Sequence, residues 1–411
     1  MFNDTWIALA FFFGLLGFAF RQDSLLIMST LLLTVIPVAY LWNRYALRSV
    51  VYQRRLSEKR AFVGEEVALS IQVANRKILP VAWLKVEDEL PTDVPLIGDR
   101  LAATHKENVG HLVNLFSLRW HEKVTRHFRL NCVQRGFYSL GPAKLQASDV
   151  FGLFGAARTD DKEDVLIVYP QVLPLVALGL PPKDPFGNVK ADVRLFADPS
   201  RAVGIRDHQP ADGLKHIHWK ASARQQHLQV KVYEPTTSPQ WVIFLNVNTL
   251  PEPLQGSDPE LLERAVSVAA SIASYAVEQK HLVGLIANGS LPRSDQPLKA
   301  LPSRSPDQLT HILEALAAVT AFSTSRIDTL LEAESPKLPW GATLIVISGI
   351  LSDSLLATLL RLKGAGRKVV LLAVGADVEP EQLPGVQVYR IPREAPSEGE
   401  PFILRPAEVS A

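Results

Sequence analysis

The side chains best suited to chemistry are concentrated in residues 206–231, which read RDHQPADGLKHIHWKASARQQHLQVK. His216 and His218 would share one face of a strand and could hold a metal ion, but no nearby carboxylate pattern completes a ligand set. With Asp212, the same histidines could supply the acid–base groups of a hydrolase. That hypothesis requires the three side chains to converge beside a nucleophile or an ion, and the sequence shows no nucleophile motif.

The same segment permits interpretations without catalysis. Its basic residues and Trp219 could bind a nucleic acid by ion pairing and stacking, but the formal net charge of only +1 for the chain argues against this. The segment could also join two domains, with Trp219 buried between them, or be a surface that docks a partner. The candidate docking or interdomain residues are Arg206, Asp212, Lys215, Trp219 and Arg224.

Motifs of common enzymes are missing from the 411 residues. The sequence contains no G-x-x-x-x-G-K-[ST] loop, no G-x-S-x-G elbow and no H-E-x-x-H helix. The single cysteine, Cys132, excludes an intrachain disulfide and a cysteine-rich zinc site. We therefore predict a protein that is not an enzyme and has neither a cofactor nor a resident metal.

Residues 239–393 alternate between strand and helix patterns. Apolar runs such as 241–247 and 342–348 are typical of parallel strands covered on both faces. Repeated β-α units of this kind predict a doubly wound α/β domain. Three helix starts follow from capping patterns: Asp258-Pro259, a capping box at residues 305–308, and Asp353.

Ligands of open parallel sheets bind at the carboxyl ends of the strands, where the strand order reverses. At that edge the sequence places Asn246, Asn248 and Ser348. Amides and a hydroxyl are poor ligands for a divalent cation when no carboxylate neutralises its charge. This edge therefore does not predict a metal site.

Residues 44–172 show a hydrophobic period of two, which predicts an antiparallel β-sandwich. Residues 67–73 alternate cleanly, and residues 114–132 predict one long broken strand or a hairpin. Regular periodicity is lost in residues 173–238, which we interpret as a ribbon or linker between the two domains. Residues 394–411 are predicted to be a loosely ordered tail.

Residues 1–43 predict a transmembrane helical hairpin. They contain two uncharged apolar stretches, 6–20 and 25–42, separated by four residues. As helices these would extend about 22 Å and 27 Å, close to the roughly 30 Å of a hydrocarbon core. A cleaved signal peptide fits less well, because no basic region precedes the first stretch and no small-x-small cleavage site follows it.

Basic residues immediately after the second stretch predict the orientation of the hairpin. By the positive-inside rule they lie in the cytoplasm, together with both termini and the soluble domains. These residues are Arg44, Arg48, Arg54, Arg55, Lys59 and Arg60.

Three blocks resemble the bacterial family called domain of unknown function 58. The first is the pair of apolar stretches, and the second is R-G-x-Y-x-L-G-P followed by D-P-F-G-L-F, here residues 135–142 and 149–154. The third resembles R-E-Y-x-P-G-D followed by R-x-I-x-W-x-x-S-A-R. It is matched by Arg206, Pro210, Asp212, Lys215, Ile217, Trp219, Ser222, Ala223 and Arg224, with His208 and Ala211 as departures.

The resemblance implies a von Willebrand factor A-like domain in the last third of the chain. In the family a D-x-S-x-S run and a later Asp hold a metal ion there. Here Asn246, Asn248 and Leu250 occupy the run, and Gly349 stands at the later carboxylate, so the site is degenerate. The resemblance also implies a MoxR-type AAA+ ATPase, and related A-domain membrane proteins, as candidate partners.

The leading hypothesis is a non-enzymatic adaptor or scaffold in the bacterial inner membrane, with its soluble domains on the cytoplasmic face. It would act with such an ATPase on a client protein or complex. Its expected partners are the lipid bilayer and proteins, and no nucleic acid. The alternatives are a membrane-associated hydrolase that uses Asp212, His216 and His218, and a binder of lipid-linked precursors.

Overall fold

The fold is a mixed α/β arrangement of two compact units, Met1–Gln171 and Val172–Ala411. Each unit has its own buried apolar cluster. The computed structural model describes residues 4–149, 152–181, 185–186, 202–209, 217–233, 240–251, 256–291, 296–376 and 383–393.

The first unit begins with two helices, α1 (Asp4–Phe20) and α2 (Asp23–Ala46). By length and composition α2 could cross a membrane, and the apolar part of α1 is a shorter helix. The helices pack against each other through small residues. Ser29 Oγ donates to the carbonyl oxygen of Ala10 over 2.9 Å, and a Cβ atom added at Gly14 would lie 2.7 Å from Ser29 Oγ. Such close approach requires glycine or another small residue at the contact.

Eleven strands follow within the described part of the first unit. Their alternating burial gives one apolar face per strand: in the third strand Val67, Leu69, Ile71 and Val73 are all buried. The strands are β1 (Val50–Leu56), β2 (Arg60–Phe62), β3 (Glu66–Asn75), β4 (Val81–Pro91), β5 (Ala102–Ala103), β6 (Val109–Leu118), β7 (Lys123–Asn131), β8 (Gly136–Leu140), β9 (Ala143–Ser148), β10 (Gly155–Asp160) and β11 (Asp164–Tyr169).

These strands form three sheets, with the orders β1-β3-β7, β10-β9-β4-β6-β5 and β2-β11-β8. All neighbours are antiparallel except β2 and β11, which are parallel. Of the two alternatives for residues 114–132, a long broken strand or a hairpin, the hairpin is wrong, because β6 pairs with β4 while β7 pairs with β3 in another sheet. A turn closed by the bond from Arg119 N to Glu122 Oε2, at 2.6 Å, carries the chain across. Period-two alternation satisfies either sheet equally well, so it does not decide the pairing.

The second unit has a small antiparallel pair of strands followed by an α/β sheet. Its elements are β12 (Ala202–Asp207), α3 (Trp219–Gln225), β13 (Gln229–Tyr233), β14 (Gln240–Leu245), α4 (Pro259–Glu278), β15 (Leu282–Ser290), β16 (Pro297–Ser303), α5 (Gln308–Ala318), α6 (Ile327–Glu334), β17 (Thr343–Ser348), α7 (Asp353–Gly364), β18 (Lys368–Val374) and β19 (Gln387–Ile391).

The larger sheet has the order β16-β15-β14-β17-β18-β19. All its neighbours are parallel except β15 and β16. The chain goes from β14 to β15 on one side and later returns to β17 on the other, so the strand order reverses between β14 and β17. This reversal places the carboxyl ends of those two strands at the edge where α/β sheets bind ligands.

One of the three predicted helix starts is confirmed. Asp258 Oδ1 accepts a hydrogen bond from Leu261 N over 3.2 Å, and Pro259 opens α4. The capping box at residues 305–308 forms only in part. Ser305 Oγ accepts from Asp307 N over 3.3 Å, but α5 begins only at Gln308, whose side chain donates to Val283 O and Leu301 O instead of Ser305 N. The cap of α7 is Ser352, whose Oγ accepts from Leu355 N at 3.3 Å, and not Asp353. Serine and aspartate are similarly good caps, so the sequence alone did not separate these neighbours.

Candidate functional site

The edge where β14 and β17 end carries a buried network of amides and a hydroxyl. Asn246 Nδ2 donates to Ser348 Oγ over 2.9 Å, and Asn246 Oδ1 accepts from Asn248 N at 3.1 Å. Asn288, at the end of β15, donates from Nδ2 to Asn246 Oδ1 over 3.0 Å, and its Oδ1 accepts from Val247 N at 2.8 Å. Asn246, Asn288 and Ser348 are at most 4% exposed. The polar atoms at the reversal point are thus committed to one another.

The rest of this edge is also occupied by the chain itself. A Cβ atom at Gly349 would lie 2.7 Å from Leu261 Cδ2, so α4 fills the space beside the position of the family's later carboxylate. Leu250 supplies no ligand atom. The carboxylate of Asp258 caps α4 and forms an ion pair with Arg393. Among the described residues, no group of three or more His, Cys, Asp or Glu side chains could hold a metal ion.

The second candidate is the signature segment, of which residues 202–209 and 217–233 are described. Strand β12 pairs antiparallel with β13, and Ile217 forms a bridge with Val230, so the segment folds back before α3 begins. Ser222 ties the helix to the strand: its Oγ accepts from Gln229 N over 2.8 Å and donates to the carbonyl oxygen of His218 over 3.1 Å. The serine of the W-x-x-S-A-R block therefore has a structural role.

His218 is used as the cap of α3. Its Nδ1 accepts from Ala221 N over 3.1 Å, and its own backbone N–H donates to Gln229 O at 2.7 Å. The hydrolase hypothesis needs this histidine together with Asp212 and His216, and those two, like Lys215, lie outside the described residues. The structure thus gives His218 a local partner and brings no second acid–base group to it within the described segment.

Trp219 is 67% exposed, so the second unit by itself does not bury the indole. Trp219, Lys220, Ala223 and Arg224 are all exposed on α3 at spacings of one, three and four residues, so they share one face. We call these four residues the α3 face. The residue that α3 buries is Ser222.

Arg206 lies on β12 and not on the α3 face. It is half-buried, and its Nη1 donates to Asp207 O over 3.0 Å. The neighbouring Asp207 carboxylate accepts from Gln229 Nε2 and is 3.0 Å from His227 Nε2. Arg206 therefore belongs to the pair of strands β12 and β13. Asp207 links β12 to Gln229 at the start of β13.

The R-G-F-Y-S-L-G-P block, residues 135–142, holds a buried ion pair in the first unit. Gly141 has a φ of 107°, and a Cβ atom there would lie 2.8 Å from Arg54 Nη2 and 2.7 Å from Lys162 O. Only glycine fits this position. Arg54 Nη1 donates to Leu140 O over 2.7 Å, and Arg54 Nη2 is paired with Asp88. This block is therefore structural.

Tyr138 and Arg135 of the same block are also affected by burial. Tyr138 OH donates to Gln134 O over 3.0 Å, and burial raises the pKa of Tyr138 to about 12. Burial lowers the pKa of the Arg135 guanidinium to about 10. Desolvation disfavours the charged form of each group, which explains the opposite directions.

The D-V-F-G-L-F block, residues 149–154, presents an aromatic side chain to α2. Asp149 Oδ2 accepts from Phe154 N over 2.7 Å and its Oδ1 accepts from Leu153 N at 3.2 Å, which shapes the turn. Phe154 packs with Ala10, Ile36 and Ala39, and its ring lies 5.9 Å from that of Tyr40. This block therefore connects the sheets to the helical pair.

Comparison with known proteins supports the resemblance carried by these blocks. Residues 204–404 match the family model described as "Protein of unknown function DUF58". The chain is similar to the "Uncharacterized protein YeaD" of Bacillus subtilis (strain 168), with 24% identity over 351 residues that cover 84% of this chain and 81% of the relative.

Solved structures resemble parts of the chain only weakly. The SpRpn10 VWA domain matches with a TM-score of 0.28 and 11% identity, over 38% of this chain and 90% of that one. The CARDB domain of the PF1109 protein from Pyrococcus furiosus matches with a TM-score of 0.21 and 12% identity, over 29% and 91%. An A-like neighbour thus exists for the expected A-like domain, at a similarity too low to carry an argument.

Proposed function

We propose that this protein is a non-enzymatic adaptor that is anchored in the cytoplasmic membrane and docks a partner protein on the α3 face. The observation that carries the proposal is the exposure of Trp219, at 67%, beside Lys220 and Arg224. Tryptophan and arginine are the residue types that contribute most to protein interfaces. An exposed indole beside two cations suits a partner with an apolar pocket and an acidic rim.

The α3 face is held ready for binding. Ser222 and His218 fix both the start of the helix and its distance from β13. Little conformational freedom of the backbone is then lost when a partner binds, which favours affinity. Ser222, one of the residues that match the family signature, thus serves to position Trp219 and Arg224.

A role without catalysis agrees with the edge of the large sheet. Asn246 Nδ2 donates to Ser348 Oγ there, and Asn246 Oδ1 accepts from both Asn248 N and Asn288 Nδ2. A buried polar network whose members are all satisfied gives rigidity rather than reactivity. The A-like domain would then act as a scaffold for the signature segment.

The proposed anchor is the pair α1 and α2, crossing the bilayer as a hairpin, with the sheets of the first unit packed as a sandwich on the cytoplasmic side. Basic residues after α2 favour this orientation, and they would place both termini in the cytoplasm. A connection through Phe154 and Tyr40 supports a sheet domain held close to the membrane.

The family resemblance makes a MoxR-type AAA+ ATPase the first partner to test, with related A-domain membrane proteins next. The full chain should be crosslinked in native membranes of its host, with and without nucleotide, and recovery of the ATPase compared among variants. We expect W219A and R224Q to lower that recovery at least about tenfold, the effect of some 1.4 kcal/mol.

The matched control is W120A, because Trp120 is 68% exposed in the first unit and lies outside the α3 face. It should leave recovery unchanged. Equal recovery for W219A and W120A would overturn the docking face. Failure to recover any ATPase or membrane complex with the unaltered chain would overturn the adaptor itself.

A further inference from the structure

A second, unrelated site is suggested by a cleft of about 340 Å³ in the first unit, beside β6 and β7. These two consecutive strands belong to different sheets, so their side chains face each other where the sheets diverge. The cleft is lined mainly by polar side chains, among them Asp99, Arg100, His111, Asn114, Arg126 and His127.

Two buried nitrogen atoms at this cleft have no hydrogen-bond partner. Asn114 is 2% exposed, and its Nδ2 is unpaired although its Oδ1 accepts from Arg126 Nη1 over 2.7 Å. His111 Nδ1 is likewise buried and unpaired. Buried polar atoms are normally satisfied, so each exception calls for an explanation such as a bound ligand, ion or water. Both atoms belong to residues that line the same cleft.

Arg126 is fixed in position beside these atoms. Its Nη2 donates to Leu115 O over 2.6 Å, and its guanidinium carbon lies 4.5 Å from the centre of the Phe116 ring. Three contacts with consecutive residues of β6 therefore hold this guanidinium at the wall of the cleft. A fixed guanidinium loses little freedom when it binds an oxyanion, which is why arginine is favoured for this purpose.

The charge of the lining is also favourable to an anion. Arg100 and Arg126 are positive at neutral pH, and Asp99 supplies a single negative charge among the residues named above. Two histidines, His111 and His127, also line the cleft. A hydrogen bond between a cation and an oxyanion is stronger than one between neutral groups.

We propose that this cleft binds the anionic oxygens of a small molecule, a carboxylate or phosphate group, through Asn114 Nδ2 and the Arg126 guanidinium. The group enters the polar cleft between β6 and β7 and satisfies the unpaired amide nitrogen of Asn114. The site is separate from the α3 face and does not depend on the adaptor role.

The test is isothermal titration of the full chain in detergent with inorganic phosphate and, separately, with succinate, each against sodium chloride of equal ionic strength. We expect saturable binding of at least one probe, and the preferred probe distinguishes a phosphate ligand from a carboxylate. N114L keeps the side-chain volume and removes the donor. R126Q removes the charge from an exposed position and gives the result even if N114L does not fold. Each should weaken binding about tenfold or more.

The matched control is R129Q. Arg129 is on the same strand, and its ion pair with Glu66 at 3.2 Å is largely exposed, so binding should not change. Heats no larger than those of sodium chloride for both probes would overturn the proposal. It would also be overturned if R126Q bound the preferred probe as tightly as R129Q.

Discussion

Asn246 Nδ2 donates to Ser348 Oγ over 2.9 Å, and this bond joins the carboxyl ends of two neighbouring parallel strands. In the resembled family the position of Asn246 holds a carboxylate that helps to bind a metal ion. Here a neutral amide both donates and accepts, and the edge is closed by side-chain hydrogen bonds. The bond therefore joins the ends of β14 and β17 through neutral groups.

The first prediction concerns this bond. N246D removes the donor to Ser348 and places a charge where the side chain is 4% exposed. We expect thermal unfolding of the full chain in detergent to show that the free energy of unfolding falls by about 3 kcal/mol. The reason is that the new carboxylate is buried and Ser348 Oγ loses its donor. N248D, at a half-buried position that bonds through its backbone, should cost clearly less. Equal stability of N246D and the unaltered chain would contradict the network.

The second prediction separates the two kinds of signature residue. S222A leaves the buried Gln229 N–H without an acceptor and should destabilise the chain by about 1–3 kcal/mol. W219A should change stability by no more than about 0.5 kcal/mol, since an exposed side chain is removed. Hydrogen exchange of residues 217–230 reports both. Rapid exchange in W219A would mean that the indole is needed for folding after all.

The third prediction concerns the buried ion pair of Arg54 and Asp88, whose side chains are 2% and 0% exposed. R54M leaves an unpaired buried carboxylate and should cost about 3–5 kcal/mol in the free energy of unfolding. Adding D88L should restore most of that loss, because both charges are then gone. The exposed pair of Arg129 and Glu66 is the comparison, and R129Q should cost less than about 1 kcal/mol.

The fourth prediction uses the thiol of Cys132, which is fully buried. Burial raises its pKa to about 11, with a smaller contribution from Glu65. We expect no alkylation of the folded chain at pH 8 and complete alkylation after denaturation, as followed by mass spectrometry. A pKa raised in the folded state stabilises the fold below the unfolded value near 9, and this contribution is lost as the pH rises toward 11. Rapid labelling at pH 8 would contradict the burial.

The strands of the large sheet were predictable because long apolar runs leave little ambiguity. β17 was expected at residues 342–348 and lies at Thr343–Ser348. β16 was missed, because Pro297 and Pro302 argue against a strand and only an edge position tolerates them. The eight-residue α6 is too short for a clear helical period.

The two candidate sites differ in how far the sequence could reveal them. Asn246 and Ser348 were found because they lie at the carboxyl ends of predicted strands. Asn288 lies near the carboxyl end of β15, so the same rule applied to that strand would have added it. No comparable sequence pattern indicated that Trp219 is exposed, because α3 is too short to show a helical period. The residue that packs α3 against β13 is Ser222. The pairing of Asn114 with Arg126 joins two sheets and could not be inferred from alternation alone.

The end of α2 is fastened to the sheets of the first unit from several directions. Only Leu47, Arg48 and Ser49 separate α2 from β1. Lys77 donates to the carbonyls of Ala46 and Arg48, and Arg158 donates to those of Leu47 and Val50. A helix joined in this way is connected rigidly to the sheets and not through a flexible linker. If α2 spans a bilayer, a change in its tilt moves β1 with it. A force applied to the sheets is then transmitted through α2 to the surrounding lipid.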